Sequence, residues 1–350
     1  MNSVAREMKR IDKESLEIFS AALLVAGGFR PEDAHKTAEL LVWANLRGVE
    51  SHGVLRIPRY IEMVGQGIIN TTAEPVFARS LGAIATLDAD GAPGAVGMEL
   101  AVEKALELAG AYGIGLCSAV RITHAGAIGF FAEKIAERGM IGIVMTASKP
   151  LMVYHGARAE GVSTNPLAIA APTRGRPLIL DMSTAAVALG KIMAAKDAGA
   201  SIPAGWAVDA AGKETTDPAK VSAVLPMAGP KGSGLSLMIE VLASVLGGNP
   251  LISAALGEKR DAGFNGLVIA INPGLIGDQE HFIDEVERLA DAIKALPPAE
   301  GVDDVLLPGE RGFAIADARI ETGIPLAAGT ANRLLAEAKK YHIEGPTALT

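Results

Sequence analysis

The sequence predicts an α/β fold. A three-layer core with a mixed β-sheet is expected over residues 76–327, and a helical domain over residues 1–75, joined by the C-terminal helix 328–350. Three observations carry this. From Asp12 to Val64 the apolar positions recur at helical spacing only. From Ile84 onward, runs of β-forming residues alternate with helical patterns. Leu167–Ala171 and Leu178–Met182 follow one another with no helix between them, which asks for antiparallel pairing within the sheet.

Taken in order, Asp12 caps a helix through Leu16, Phe19, Leu23 and Ala26, which Gly27 and Gly28 end. Pro31, Glu32 and Asp33 open a second helix running to Gly48, with proline in the first turn and acids at the positive end of the dipole. A third helix starts or kinks near Pro58. A strand over Ile84–Asp90 is followed by a helix over Ala95–Ala111 and a strand over Gly113–Ile122. A helix over Ala127–Arg138 and a strand over Met140–Ala147 come next, then the two short strands. Ile202–Lys220, rich in Pro and Gly, reads as a surface excursion. Gly234–Leu246 is a helix, Gly266–Asn272 a strand and Glu280–Ala295 a helix. Val302–Leu307 reads as a short strand and Thr330–Tyr341 as the last helix.

Composition narrows the function classes. With 49% hydrophobic and 21% charged residues the chain has the make-up of a globular protein, and 350 residues suffice for two domains or one large one. Aromatics at 4% and a net charge of −8 without a basic block argue against a nucleic-acid partner. An anionic ligand must then be held by local Arg or Lys. A single cysteine, Cys117, excludes an intrachain disulfide and suits a reducing cytoplasm. The N-terminal stretch has no apolar leader, and Gly234–Leu246, broken by Glu240, is too short to span a bilayer. The six histidines are scattered, without the spacing of a metal site.

Five stretches could carry chemistry. Arg47–Tyr60 reads R-G-V-E-S-H-G-V-L-R-I-P-R-Y. If it is helical, His52, Arg56 and Tyr60 share a face. An arginine fork holds a carboxylate and a neighbouring histidine passes a proton, which fits reduction of a 2-oxo acid. The same letters also fit a surface helix with a capping serine. On a helix Ser51 and His52 point about 100° apart, so a direct Ser–His nucleophile pair is not expected. Arg47 and Arg59 read as solvated charges.

His124-Ala125-Gly126-Ala127-Ile128 sits where a strand hands over to a helix. Small residues and a helix N-terminus there favour a phosphate, and the histidine reads as catalytic, as a cofactor contact or as a cap. Gly229–Gly234, with Lys231 and Gly232, is a glycine-rich anion cradle at a helix start, and it lacks the P-loop order. Thr164 and Asp181–Thr184, with Lys191 beyond, place polar groups at strand ends, where clefts form in α/β sheets. Pro308-Gly309-Glu310 alone is a turn. The dinucleotide fingerprint of a Rossmann fold is absent, so a nicotinamide cofactor needs another cradle.

Together S-H-G-V-L-R-I-P-R-Y, H-A-G-A-I-G, S-T-N-P-L-A, L-D-M-S-T with G-K-I after it, G-P-K-G-S-G-L and L-P-G-E resemble the type-2 malate/L-lactate dehydrogenase family, in the family's order over nearly the whole chain. The resemblance implies an NAD- or NADP-dependent oxidoreductase with non-Rossmann cofactor binding, a small 2-hydroxy or 2-oxo acid as substrate, and a cytoplasmic homodimer without nucleic-acid, membrane or metal partners. By position it implies Ser51 and His52 as relay and proton donor, with His124 as the acid/base assigned in some members. Arg56 and Thr164 become substrate contacts, with Tyr60 beside them. His124–Ile128, Met182, Ser183, Thr184, Lys191, Lys231, Gly232, Pro308, Gly309 and Glu310 fall in the cofactor-binding segments. Two departures stand out: Ser163 replaces the usual glycine before T-N-P, and Ser233 the usual tyrosine of K-G-Y-G. Lys191 stands where cyclic imino-acid reductases of the family tend to carry an aspartate, which weighs against that alternative. A catalytically silent metabolite-binding protein is the remaining one.

Overall fold

The computed structural model describes residues 8–197, 199–257 and 263–349; residues 1–7, the start of the stretch read for a leader, lie outside them. Strand β1 (Lys9–Ile11) leads into α1 (Lys13–Ala26), whose first turn is capped by Asp12 accepting from the Ser15 amide at 2.8 Å. Then come α2 (Pro31–Leu46) and α3 (Ile57–Gly65). Between them the chain does not form the single helix that would align His52, Arg56 and Tyr60. It makes two 3₁₀ turns, Glu50–His52 and Val54–Arg56, separated by extended Gly53. Asn45 of α2 enforces the break: its Oδ1 accepts the Val54 amide at 2.7 Å and fills the space that a Cβ on Gly53 would need.

The remaining elements are β2 (Val76–Leu81), β3 (Ile84–Asp88), α4 (Gly94–Tyr112), β4 (Ile114–Ile122), α5 (Gly129–Ala136), β5 (Ile141–Ser148), β6 (Met152–Val153), β7 (Glu160–Val162), β8 (Leu167–Ala171), β9 (Leu178–Met182), α6 (Leu189–Asp197), β10 (Ala207–Val208), β11 (Ala223–Val224), α7 (Pro230–Glu240), α8 (Ile252–Gly257), β12 (Phe264–Ile271), α9 (Gln279–Lys294), α10 (Glu310–Thr322), β13 (Ile324–Leu326) and α11 (Ala328–Lys340). Seven strands form one sheet in the order β2-β3-β4-β12-β5-β8-β9. Only β3 and β4 pair parallel, so the sheet is mixed. Alternate residues face opposite layers. Cys117, Val144, Val268 and Ala270 pack under α4 and α5, whereas Leu116, Met145, Leu267 and Ile269 pack under α7 and the π-helical turn Val241–Val245 that extends it. This makes the three layers. A separate core joins α1, α2 and α3 to the antiparallel β1–β13 pair and α11.

The structure corrects several sequence expectations. Val302–Leu307 pairs with no strand among the described residues, and its Val302 and Leu306 are exposed. A short apolar run without a neighbouring strand does not make a sheet. The Pro308 turn opens the unpredicted helix α10. Strand β2, also unpredicted, lies at the sheet edge with all six residues exposed, so no buried alternation marks it. The Ile202–Lys220 excursion is not wholly at the surface: it buries Ile202, Ala207 and Val208, and β10 joins a four-stranded sheet of order β10-β11-β6-β7. Among the described residues no helix is long and apolar enough to cross a membrane.

Candidate active site

The broken backbone at Gly53 turns His52 and Arg56 toward the end of β4. Contrary to the helical expectation, the adjacent side chains Ser51 and His52 do meet, with Oγ and Nδ1 2.9 Å apart. Arg56 Nε donates to the Ser51 carbonyl at 2.7 Å and ties the two turns together. Among the described residues the guanidinium has no carboxylate partner, although the chain carries an excess of acids.

His124 comes from the turn after β4. Its ring stacks on that of His52 at 5.6 Å and 17°, and Phe264 of β12 packs edge-on against its other surroundings at 5.5 Å. The Tyr60 hydroxyl lies 2.7 Å from His124 Nδ1. Burial, and next the Arg56 charge, push His52 down to about 4. The same two causes, with His52 added, hold His124 well below the usual histidine range. Burial pushes the Tyr60 hydroxyl upward, and Arg56 opposes it only in part. Near neutral pH the site is therefore two uncharged imidazoles and a neutral phenol around one unpaired cation. That arrangement attracts a small anion and can exchange a proton at a ring nitrogen.

The residues expected around a cofactor are arranged along β9. At its start the Ile179 amide donates to the Pro308 carbonyl at 3.0 Å, and Gly309, in the left-handed region at φ 95°, packs on Ile179. Glu310 turns inward, accepting from the Leu307 amide at 2.8 Å and pairing with Lys294 at 3.0 Å. Beyond Met182 and Ser183, the Thr184 amide donates to the Thr164 carbonyl at 3.3 Å and the Thr184 carbonyl accepts the Met227 amide at 2.9 Å. Gly232, after Lys231 in the first turn of α7, packs so closely on the Thr184 and Met227 carbonyls that a side chain there would collide with both. Thr184 Oγ1 is buried with no hydrogen-bond partner among the described residues. Gly232 is thus required by packing of the chain on itself, and the orphaned Thr184 hydroxyl is the group here whose hydrogen bond a polar ligand would complete. Lys191 lies in the first turn of α6, and its neighbour Gly190 packs against Ser51, where an added Cβ would stand 2.6 Å from the serine Cβ.

The His124–Ile128 turn is built differently from the phosphate cradle its residues suggest. Ala125, Ala127 and Ile128 are buried, and Gly126, at φ 67°, is pressed against Leu40. At the head of α5 the Gly129 amide already donates to Asp181 Oδ2 at 2.9 Å. Asp181 is the internal anion at that helix end. Solvent reaches it, yet the surrounding protein raises its carboxyl to about 6 against the opposing Gly129 bond. Its position inside L-D-M-S-T was the available signal. Arg47 is not a solvated charge. It is buried between the Trp43 and Phe313 rings, 5.0 and 3.9 Å from their centroids, and pairs with Glu133 at 3.4 Å. It also donates to the Gly309 carbonyl at 3.4 Å and so links α2, α5 and the Pro308 turn. Arg59 is exposed and paired with Glu62. No group of three His, Cys, Asp or Glu among the described residues could hold a metal ion.

Comparison with known proteins matches residues 11–335 to the family model described as malate/L-lactate dehydrogenase. The chain is 37% identical over 306 residues to the NAD(+) ureidoglycolate dehydrogenase of Escherichia coli O157:H7, covering 86% of this chain and 88% of that protein. It is 39% identical over 288 residues to the L-sulfolactate dehydrogenase of Methanocaldococcus jannaschii, covering 81% and 83%. The structure of malate dehydrogenase from Pyrococcus horikoshii OT3 superposes with a TM-score of 0.89 at 31% identity, over 99% of both chains.

Proposed function

The chain belongs to the malate/L-lactate dehydrogenase family, and from that premise we propose that it is an NAD(P)-dependent oxidoreductase of a small 2-hydroxy acid, with Arg56 as the carboxylate ligand and His52 as the proton-exchanging group. The observation that carries the residue assignment is the unpaired Arg56 guanidinium beside the Ser51–His52 contact of 2.9 Å. Bound nicotinamide supplies the hydride acceptor at C4. Thr184 and the Gly232 approach, with Lys231, are the groups we assign to holding it, and the orphaned Thr184 hydroxyl supports this.

In this reading the chain's own residues bind the substrate and move its proton. Arg56 binds the substrate carboxylate through its free fork while its Nε stays on Ser51. His52, neutral at pH 7, takes the hydroxyl proton as the carbonyl forms. Ser51 accepts from or donates to Nδ1, so the imidazole can take up and release the proton without reorienting. Thr164 is assigned to the substrate side of the same cleft.

The same reading carries a cytoplasmic homodimer. The outer face of α7 and its π-turn exposes Leu237, Met238, Val241, Val245 and Leu246 in one stripe, an apolar surface of the kind a second subunit covers. The test is a spectrophotometric screen of 2-oxo and 2-hydroxy acids with NAD and NADP, with piperideine-2-carboxylate included. Substrate-dependent change at the reduced-nicotinamide band with malate, lactate, ureidoglycolate or sulfolactate is expected. No change with any hydroxy or oxo acid would refute the proposal.

A further inference from the structure

The two stacked imidazoles look alike: each has a hydroxyl on Nδ1, Ser51 for His52 and Tyr60 for His124. The backbone breaks the symmetry. The Gly126 amide also points at His124 Nδ1, 3.3 Å away. A backbone N–H can only donate, so that nitrogen must present its lone pair. Tyr60, a residue only 4% exposed, then donates its hydroxyl to the same nitrogen. In a neutral ring the single proton is left on Nε2.

We infer that Tyr60 and the Gly126 amide lock His124 as the Nε2–H tautomer, which makes His124 a fixed hydrogen-bond donor to the substrate oxygen and leaves proton exchange to His52. The inference rests on the dehydrogenase reading for the identity of the donor's target, but the tautomer itself does not depend on it. Tyr60 is a positioning residue here, its hydroxyl occupied by His124 and so not offered to substrate. The lock also bars His124 from exchanging protons. Protonating Nδ1 would set its N–H against the Gly126 N–H. Releasing the Nε2 proton would need Tyr60 to give its own proton to Nδ1 and become a buried phenolate. His52 meets neither obstacle, because the Ser51 hydroxyl can rotate. Gly126 sits where it does because its left-handed φ of 67° bends the turn back over the ring, with Leu40 packed behind it.

The test is ¹⁵N NMR of histidine-labelled wild-type protein and Tyr60→Phe, both without added substrate, with the His124 signals identified by their loss in His124→Gln. The lock predicts a single Nε2–H tautomer for wild-type His124 that does not titrate between about pH 5 and 9. In Tyr60→Phe it predicts a tautomer mixture, with kcat/KM for the hydroxy acid down by roughly tenfold, as loss of one neutral hydrogen bond gives. An Nδ1–H wild-type ring, or an unchanged single tautomer in Tyr60→Phe, would overturn the inference. The wild-type spectrum is decisive by itself should Tyr60→Phe fail to fold. An inactive protein with the predicted tautomer would sink the dehydrogenase reading and leave the lock standing.

Discussion

Arg56 has two separable jobs, so removing it should move two observables. The first is binding. In Arg56→Ala the substrate carboxylate loses a charge-assisted fork, worth about 2–3 kcal/mol, which corresponds to a KM for the hydroxy acid raised roughly 30- to 150-fold. The second is proton affinity. His52 is held at about 4 by burial first and by Arg56 second. For oxidation the imidazole must be unprotonated, so kcat/KM should fall on the acid side as pH drops through the free-enzyme value. Taking away the cation makes the imidazolium easier to form and moves that limb upward. Burial remains, so the limb should settle above 4 but below the ordinary 6.5. Arg56→Lys separates the jobs: it keeps the charge and loses the fork and the Ser51 bond, so KM rises while the limb stays low. The assay is the pH dependence of kcat/KM in the oxidative direction for the three proteins. A limb at one pH in all three, or an unchanged KM in Arg56→Ala, would refute the reasoning.

Two further outcomes follow from the scaffold. Gly53→Ala places a Cβ against the Asn45 amide that holds the Val54 N–H, so we expect turnover to fall at least tenfold through displacement of the two 3₁₀ turns, while stability drops by about 1–3 kcal/mol for the lost buried bond; wild-type kinetics would show that Asn45 does not set the turn. Arg47→Met takes the cation from the half-buried Glu133, which keeps only its hydrogen bond from Trp43 Nε1, and should lower unfolding free energy by about 2 kcal/mol, part of which Glu133→Gln restores in the double variant. Denaturant titration that gives equal midpoints for wild type and Arg47→Met would contradict that clamp.

What the letters conveyed follows a physical division. The sheet was legible where burial is one- or two-sided, as in β4, β5 and β12, because their apolar runs are dictated by the layers above and below. It was illegible at β2, which buries nothing, and at Val302–Leu307, which has apolar residues but no neighbouring strand among the described residues. In the site, the residue types at Ser51, His52, Arg56, Tyr60 and His124 were readable as chemistry. Their arrangement was not. It depends on Asn45 breaking the helix eight residues downstream and on the β4 turn delivering His124 from 64 residues beyond Tyr60, contacts that no local period encodes. The same holds for Arg47, whose burial needs Phe313 from α10, and for the head of α5, where Asp181 stands in for the anion that a glycine-rich helix start would otherwise attract.

The electrostatic design has a consequence for the order of events. Burial first, and the unpaired Arg56 second, keep both imidazoles neutral in the free protein, so the site presents its cation undiluted to an incoming carboxylate. Once that carboxylate sits on Arg56, the positive charge that opposed protonation of His52 is cancelled and the proton affinity of the imidazole rises. The base thus strengthens at the moment a hydroxyl proton has to be accepted. An enzyme that held His52 with a permanent carboxylate would have its base already protonated near neutral pH and would repel the substrate. With Arg56 the substrate supplies the missing negative charge itself, and proton uptake is linked to binding. Weak binding of monovalent anions by the free protein should therefore be accompanied by net proton uptake below about pH 6, where the His52 change falls, and should vanish with Arg56→Ala.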